Sequence, residues 1–193
     1  MALSLSWSDT AAMGPTQTAL IVPIPDAEPA VGRFRASLDR AASWGVPAHV
    51  TVLYPFLPPE RIDAAVLATV RDIVAAVPRS DISLTQVGWF GDAVVWLAPQ
   101  PDDLFRELTA AVWHRFPEAP PYDGTHSDVV PHLTIGHDAA RSVLEDAAEA
   151  VAEHLPLRAT VEVVRLIAGT PDVAPWRTVC EFPMGTSPVT RSR

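Results

Sequence analysis

The chain is short of cysteine, of basic charge and of long apolar runs, and each shortage removes a class of protein. Its single cysteine, Cys180, cannot close an internal disulfide. The strand-like segment around it, Trp176-Arg177-Thr178-Val179-Cys180-Glu181-Phe182, supplies no electropositive surroundings to activate a thiol, so Cys180 reads as a structural residue of a reduced, intracellular protein. Lys and Arg number 14 against 23 Asp and Glu, a formal net charge of −9. That balance argues against a protein that grips long nucleic acid through many phosphates, although it leaves room for a local basic cleft. No apolar stretch approaches the roughly 18 to 20 residues a membrane span requires, and residues 1–17 lack the basic start and apolar run of a secretory leader. A cytoplasmic protein with no membrane partner is expected.

What is present fits a folded globular chain: 193 residues, 48% hydrophobic and 19% charged, with 20 prolines to set loop corners. This length suits one domain or one compact two-lobed unit. The first 16 residues and residues 185–193 are rich in Ser, Thr, Pro and Gly and are expected to be loose tails, leaving residues 17–184 as the folded unit.

Periodicity gives an alternating order of elements. Residues 18–24 form an apolar β-run closed by Pro25, and residues 28–42 carry Val31, Phe34, Leu38 and Ala41 at helical spacing. Residues 48–56 read as a strand, followed by a helix opened at Pro58-Pro59-Glu60 and ended before Pro78. Residues 81–90 and 93–97 form a hairpin about Gly91-Asp92, and residues 102–116 a helix. A proline-rich loop over residues 117–130 leads into a strand over 131–137 and an alanine-rich helix over 138–154. Two further β-runs, 158–168 and 176–184, join through a Gly-Thr-Pro-Asp turn and close the chain.

The second half echoes the first at Ala48-His49-Val50-Thr51-Val52 and Pro131-His132-Leu133-Thr134-Ile135, as an internal duplication would. Side chains alternate across a strand, so His49 and Thr51 share one face and Val50 and Val52 the other, with the same division in the second copy. Chance alone gives roughly 0.4 His-x-Thr pairs in such a chain, and the placement of both in equivalent strands carries more weight than the count. If the strands converge, a neutral imidazole can take a proton from water and an imidazolium can give one to a departing oxygen. Two threonine hydroxyls can meanwhile hold the non-bridging oxygens of a phosphate.

His49-Val50-Thr51-Val52-Leu53-Tyr54-Pro55-Phe56 and Pro131-His132-Leu133-Thr134-Ile135-Gly136-His137 together resemble the 2H phosphoesterases, which include the proteins named 2′,5′ RNA ligases and the cyclic nucleotide phosphodiesterases. The order of elements over most of the chain is similar to theirs as well. The resemblance implies an α+β, two-lobed, duplicated fold, with two antiparallel sheets around a central groove and helices packed outside. It implies His49 and His132 as the acid/base pair, with Thr51 and Thr134 holding phosphate, and no metal or other cofactor. The implied activity is hydrolysis of a cyclic 2′,3′-type or 2′-5′-linked nucleotide or RNA-end phosphodiester, with reverse ligation a further activity of the family. The acidic charge favours a small nucleotide or RNA end as partner, and a monomer is expected. The alternative is a binding module of the same fold that holds a nucleotide or RNA end without turning it over.

Trp89, Phe90, Tyr54 and His126 are the further candidates for contact with substrate. Alternation places Tyr54 opposite His49, under the helices, whereas Trp89 and Phe90 sit at a hairpin end from which one of them can reach the groove. Trp176 is a core aromatic with the same stacking chemistry. His126, beside Asp123 and Asp128, could join His132 in a zinc site, although the spacing matches no established ligand pattern. Alternation likewise sets His137 opposite His132, at the rim. His114 and His154 fall near helix C-termini, and Arg33, Arg35 and Arg177 read as solvated surface charge.

Overall fold

The computed structural model describes residues 14–125 and 129–186. The tails expected over residues 1–16 and 185–193 therefore fall mostly outside the described residues. So does His126, with its expected metal or substrate contact.

Among the described residues, eight strands form two four-stranded antiparallel sheets. The first has the order β2-β1-β7-β8, built from β1 (Gln17–Pro23), β2 (His49–Leu53), β7 (Val163–Thr170) and β8 (Val173–Pro183). The second has the order β5-β4-β3-β6, from β3 (Ser80–Phe90), β4 (Val94–Gln100), β5 (Leu133–His137) and β6 (Leu157–Val161). β2 and β5, the strands bearing or following the two His-x-Thr pairs, are each the outer strand of their sheet, and they lie against one another.

The α-helices among the described residues are α1 (Glu28–Leu38), α2 (Arg40–Ser43), α3 (Ala64–Ala76), α4 (Asp103–Arg115) and α5 (Arg141–Ala152). The lobes are interlocked, because α1 leaves the first sheet and packs on β5, while α4 leaves the second and packs on β2. The main apolar core runs from Leu20, Val22 and Val50 through Leu84, Val95 and Leu97 to Phe105, Leu108, Leu133 and Phe182, all at most 1% exposed, and a smaller cluster gathers Ala19, Ile21, Val46, Ile167 and Trp176. Thr109 of α4 ties the two lobes further, donating its hydroxyl to Val52 O at 2.8 Å.

Gly136 permits the approach of α1 to β5. A Cβ there would stand 2.7 Å from Leu38 Cβ at the end of α1, so a side chain would push the helix off β5.

Several boundaries differ from the periodicity reading, each for a physical reason. The helix over 28–42 breaks at Asp39, whose backbone is extended and whose carboxylate accepts from Ala41 N at 2.9 Å to start the short α2. The helix after Pro58 is first a 3₁₀ turn, Pro59–Arg61. The α-helix begins only where Asp63 accepts from Val66 N at 2.8 Å. The helix expected from residue 138 starts at Arg141, after Asp138 takes a left-handed φ of 54°.

The largest difference is the run 158–168, expected to be one strand. It is two, β6 and β7, which cross at Glu162 from the second sheet to the first. The partner of β8 in its hairpin is thus β7 alone.

Candidate active site

β2 and β5 each carry a bulge at the same place in their motif. Leu20 of β1 pairs with Leu53 and Ile21 with Thr51, so Val52 is an extra residue on β2. Val95 of β4 pairs with Gly136 and Trp96 with Thr134, so Ile135 is the extra residue on β5. A bulge shifts the alternation by one residue. Val52 and Leu53 both face the core, as do Ile135 and Gly136, and the residue five positions after each histidine returns to the histidine's face.

That residue is Tyr54 in one lobe and His137 in the other. Both line the groove, so the expectation that each points away is corrected. Tyr54 packs edge-on against Trp176, and its hydroxyl donates to Gln17 Oε1 at 2.6 Å.

The groove encloses about 340 Å³ and brings together His49, Thr51, His132 and Thr134. In both imidazoles Nδ1 meets the carbonyl of the residue two positions earlier, Pro47 O at 2.8 Å for His49 and Val130 O at 2.7 Å for His132. A carbonyl only accepts, so Nδ1 carries the hydrogen in each ring and Nε2 is left with its lone pair. The two halves have thus fixed the same tautomer by the same backbone device.

Burial pushes the His49 pKa down to about 4, with Arg35 and His132 adding to the effect and the Pro47 carbonyl and Asp39 opposing it. Burial also lowers His132, against the Val130 carbonyl. Both rings are therefore neutral at pH 7 with the groove open. Neither ring keeps the ordinary imidazole pKa.

Three groups at the site gave little or no signal in the sequence. Tyr122, from the 3₁₀ segment Pro121–Gly124, is hydrogen-bonded through its hydroxyl to Thr51, and its N–H donates to Tyr54 O at 2.7 Å. Burial raises its pKa and the Thr51 bond lowers it again in part. Asp39 is buried and paired with Arg35 at 2.8 Å, so Arg35 is a core residue at 2% exposure rather than surface charge. It also bonds Val46 O at 3.2 Å and reaches Glu28 at 3.5 Å.

Burial alone would raise the Asp39 carboxyl, but the bond to His137 and the Arg35 guanidinium hold it below the usual carboxylate range. His137 is raised chiefly by its bond to Asp39, whose Oδ1 lies 3.4 Å from Nε2, and further by Asp138, whose Oδ2 accepts from Nδ1 at 2.8 Å. Trp44 is the third group. It stacks on Trp176 with ring centroids 6.0 Å apart, and its backbone carbonyl accepts from the Trp176 backbone N–H at 2.8 Å.

Of the two hairpin aromatics, Phe90 is the one beside the histidines, its ring edge-on to His132 at 4.9 Å. Trp89 points to the other side of the sheet, where Arg141 covers its ring at 3.9 Å. His114 is exposed in the last turn of α4 and His154 is exposed just after α5, so neither meets the groove. Among the described residues no three His, Cys, Asp or Glu side chains are gathered to hold a metal ion, and no helix is long and apolar enough to cross a membrane.

This arrangement of two sheets and two matched motifs agrees with comparison to known proteins. The model of the 2′-5′ RNA ligase superfamily matches residues 22–172, and the chain belongs to that superfamily, the 2H phosphoesterases. Among solved structures, the chain is similar to Escherichia coli LigT complexed with 3′-AMP, at 16% identity and a TM-score of 0.60, covering 88% of this chain and 98% of that one. It is also similar to LigT complexed with NADP+, at 15% identity and a TM-score of 0.55 over 89% and 99%. A third is TT0787 of Thermus thermophilus, at 16% identity and a TM-score of 0.59 over 89% and 100%. At these identities the likeness is one of fold. No curated protein matches the chain significantly.

Proposed function

We propose that the protein is a metal-independent phosphodiesterase that hydrolyses a cyclic 2′,3′-type or 2′-5′-linked nucleotide or RNA-end phosphodiester. The observation that carries this reading is the matched pair of imidazoles, each with Nδ1–H held by a backbone carbonyl and Nε2 left to work in one groove.

In the reaction, Nε2 of one histidine takes a proton from water as the water oxygen bonds to phosphorus. The bond from phosphorus to the leaving oxygen breaks, and the other histidine, entering as imidazolium, gives that oxygen its proton. Thr51 and Thr134 hold the non-bridging oxygens, and the bond to Tyr122 orients the Thr51 hydroxyl. The imidazolium gains its proton when the substrate arrives. The phosphodiester is an anion, and its charge beside a neutral ring reverses the bias that burial imposes. The complexes of LigT with 3′-AMP and NADP+ support a small nucleotide as the ligand class.

A binding module of the same fold is the competing reading. Two imidazoles held neutral grip a phosphate less well than arginine or lysine would, which favours the enzyme. The test is turnover of the four nucleoside 2′,3′-cyclic phosphates alongside equilibrium binding of a nucleoside monophosphate, for the parent and for His49→Ala and His132→Ala. The enzyme loses turnover at least about 100-fold in each variant while binding weakens far less. A parent that binds nucleotide and turns over no diester is the binding module.

A further inference from the structure

The carbonyl that fixes each imidazole is itself held from behind, and by the same device in both lobes. Pro47 O and Val130 O meet the rings of His49 and His132. One residue further back, the Val46 carbonyl accepts from Arg35 Nη2 at 3.2 Å and the Val129 carbonyl accepts from Arg106 Nη1 at 3.1 Å. Each guanidinium is braced in turn by an aspartate four residues away: Arg35 Nε donates to Asp39 Oδ2 at 2.9 Å, and Arg106 Nε to Asp102 Oδ2 at 2.7 Å. Arg35 lies on α1 and Arg106 on α4, the long helices ahead of β2 and β5.

A guanidinium suits this task because its planar fork can lock on a carboxylate with one donor and grip a carbonyl with another. Pinning one carbonyl fixes the peptide plane that joins its residue to the next. The direction of the following carbonyl then depends on the φ and ψ of a single residue. In the first lobe that residue is Pro47, whose ring sets φ. In the second it is Val130, which is β-branched and confined to extended backbone by Pro131. Little freedom therefore separates each guanidinium from the carbonyl that holds Nδ1–H.

The two lobes differ in how much else supports that carbonyl. The peptide that presents Pro47 O is also gripped through its N–H, since Ala48 N donates to Glu28 Oε1 at 2.6 Å. The Arg35–Asp39 pair is shielded as well, its side chains 3% and 4% exposed. The peptide that presents Val130 O has no N–H to grip, because Pro131 follows, and the Arg106–Asp102 pair is 43% and 36% exposed. His132 thus depends on its arginine more directly than His49 does.

Resting on the phosphodiesterase reading, we infer that Arg106 is a positioning residue for His132, holding Val129 O so that Val130 O stays aimed at Nδ1 and Nε2 keeps its lone pair toward the groove. It acts through the backbone and not on the substrate. A ring released from its carbonyl turns more freely and exchanges between tautomers, and a neutral ring with its hydrogen on Nε2 cannot accept a proton there.

The experiment uses protein labelled with ¹⁵N-histidine, in which the imidazole nitrogen shifts at pH 7 report the tautomer of each ring, together with kcat and KM for adenosine 2′,3′-cyclic phosphate. In the parent both His49 and His132 carry the hydrogen on Nδ1. In Arg106→Ala, His132 becomes a mixture of tautomers while His49 is unchanged. Its kcat falls roughly 10- to 100-fold, the cost of a slightly misplaced reacting group, and KM moves less than about 3-fold. The thermal midpoint stays within about 3 °C of the parent, because the ion pair that is lost is exposed. Arg106→Lys, which keeps the charge without the fork, gives an intermediate kcat. A His132 ring that remains wholly Nδ1–H in Arg106→Ala overturns the inference, as do equal changes at both histidines or a kcat within about 2-fold of the parent. Should the parent hydrolyse no nucleotide diester, the phosphodiesterase reading fails separately. The tautomer of His132 needs no turnover, and it then decides the role of Arg106 alone.

Discussion

Filling the groove with an anionic phosphodiester should draw a proton out of solution. His49 rests at a pKa of about 4, against 6.5 for a free imidazole. That depression corresponds to roughly 3 kcal/mol in favour of the neutral ring. Restoring a half-charged ring at pH 7 takes about 3 pKa units, or about 4 kcal/mol. One unit charge at 4 Å in the effective dielectric of a partly shielded site supplies about 4 kcal/mol, so a single phosphate anion beside the ring is sufficient. The assay is calorimetric titration at pH 7 with a non-hydrolysable, singly charged diester analogue, repeated in buffers of different ionisation enthalpy. Uptake of about half a proton per ligand is expected in the parent at pH 7, and a reduced uptake when the acquiring histidine is replaced. The same coupling sets the kinetics: kcat/KM falls as pH rises from 6 to 8, because burial has already lowered both histidines of the free enzyme below the ordinary imidazole value and the acid form is increasingly scarce, while the basic limb of kcat lies at higher pH. No proton uptake, together with kcat/KM rising from pH 6 to 8, would refute the reasoning.

Three further outcomes follow from the packing around the site. Asp39→Asn breaks the buried pair with Arg35, which keeps only Val46 O and the longer contact to Glu28. A loss of about 3 kcal/mol in urea unfolding is expected, and under 1 kcal/mol would contradict the pairing. His49, with its folded pKa below the unfolded value, contributes stability that is complete above about pH 6.5 and is lost as pH falls towards 4. His137, raised, contributes the opposite slope. The unfolding free energy of the parent relative to His49→Gln should therefore drop by about 2 kcal/mol between pH 7.5 and 5, and a constant difference would argue against a buried neutral ring. Gly136→Ala forces α1 away from β5 and should cost about 1 to 3 kcal/mol in thermal or chemical unfolding, while an unchanged midpoint would mean the interlocked helix yields freely.

Much of this architecture is legible in the chain. The alternation of β-runs and helical spacing gives the element order, and the two His-x-Thr pairs mark the strands that meet. The bulges are the principal thing that is not legible. Val52-Leu53 and Ile135-Gly136 read as ordinary continuation of an apolar strand, so strict alternation sends Tyr54 and His137 to the wrong face. Two consecutive apolar residues at the same offset in both copies are the only local trace. The crossing at Glu162 leaves still less, since the β-run passes from one sheet to the other without a turn residue. Arg35 and Asp39 stand at the i,i+4 spacing of a helical ion pair, a signal available in the sequence and outweighed there by the usual exposure of arginine. Trp44 and Trp176 are far apart in the chain and become neighbours only through the pairing of β1 with both β2 and β7.

Hydrolysis of nucleoside 2′,3′-cyclic phosphates and a 2′-5′-linked dinucleotide in excess chelator, by the parent, His49→Ala and His132→Ala, tests the two-histidine mechanism most directly. Undiminished turnover by the chelated parent, abolished by either substitution alone, is the predicted result. Turnover that disappears with chelator, or that survives loss of either imidazole, would contradict it.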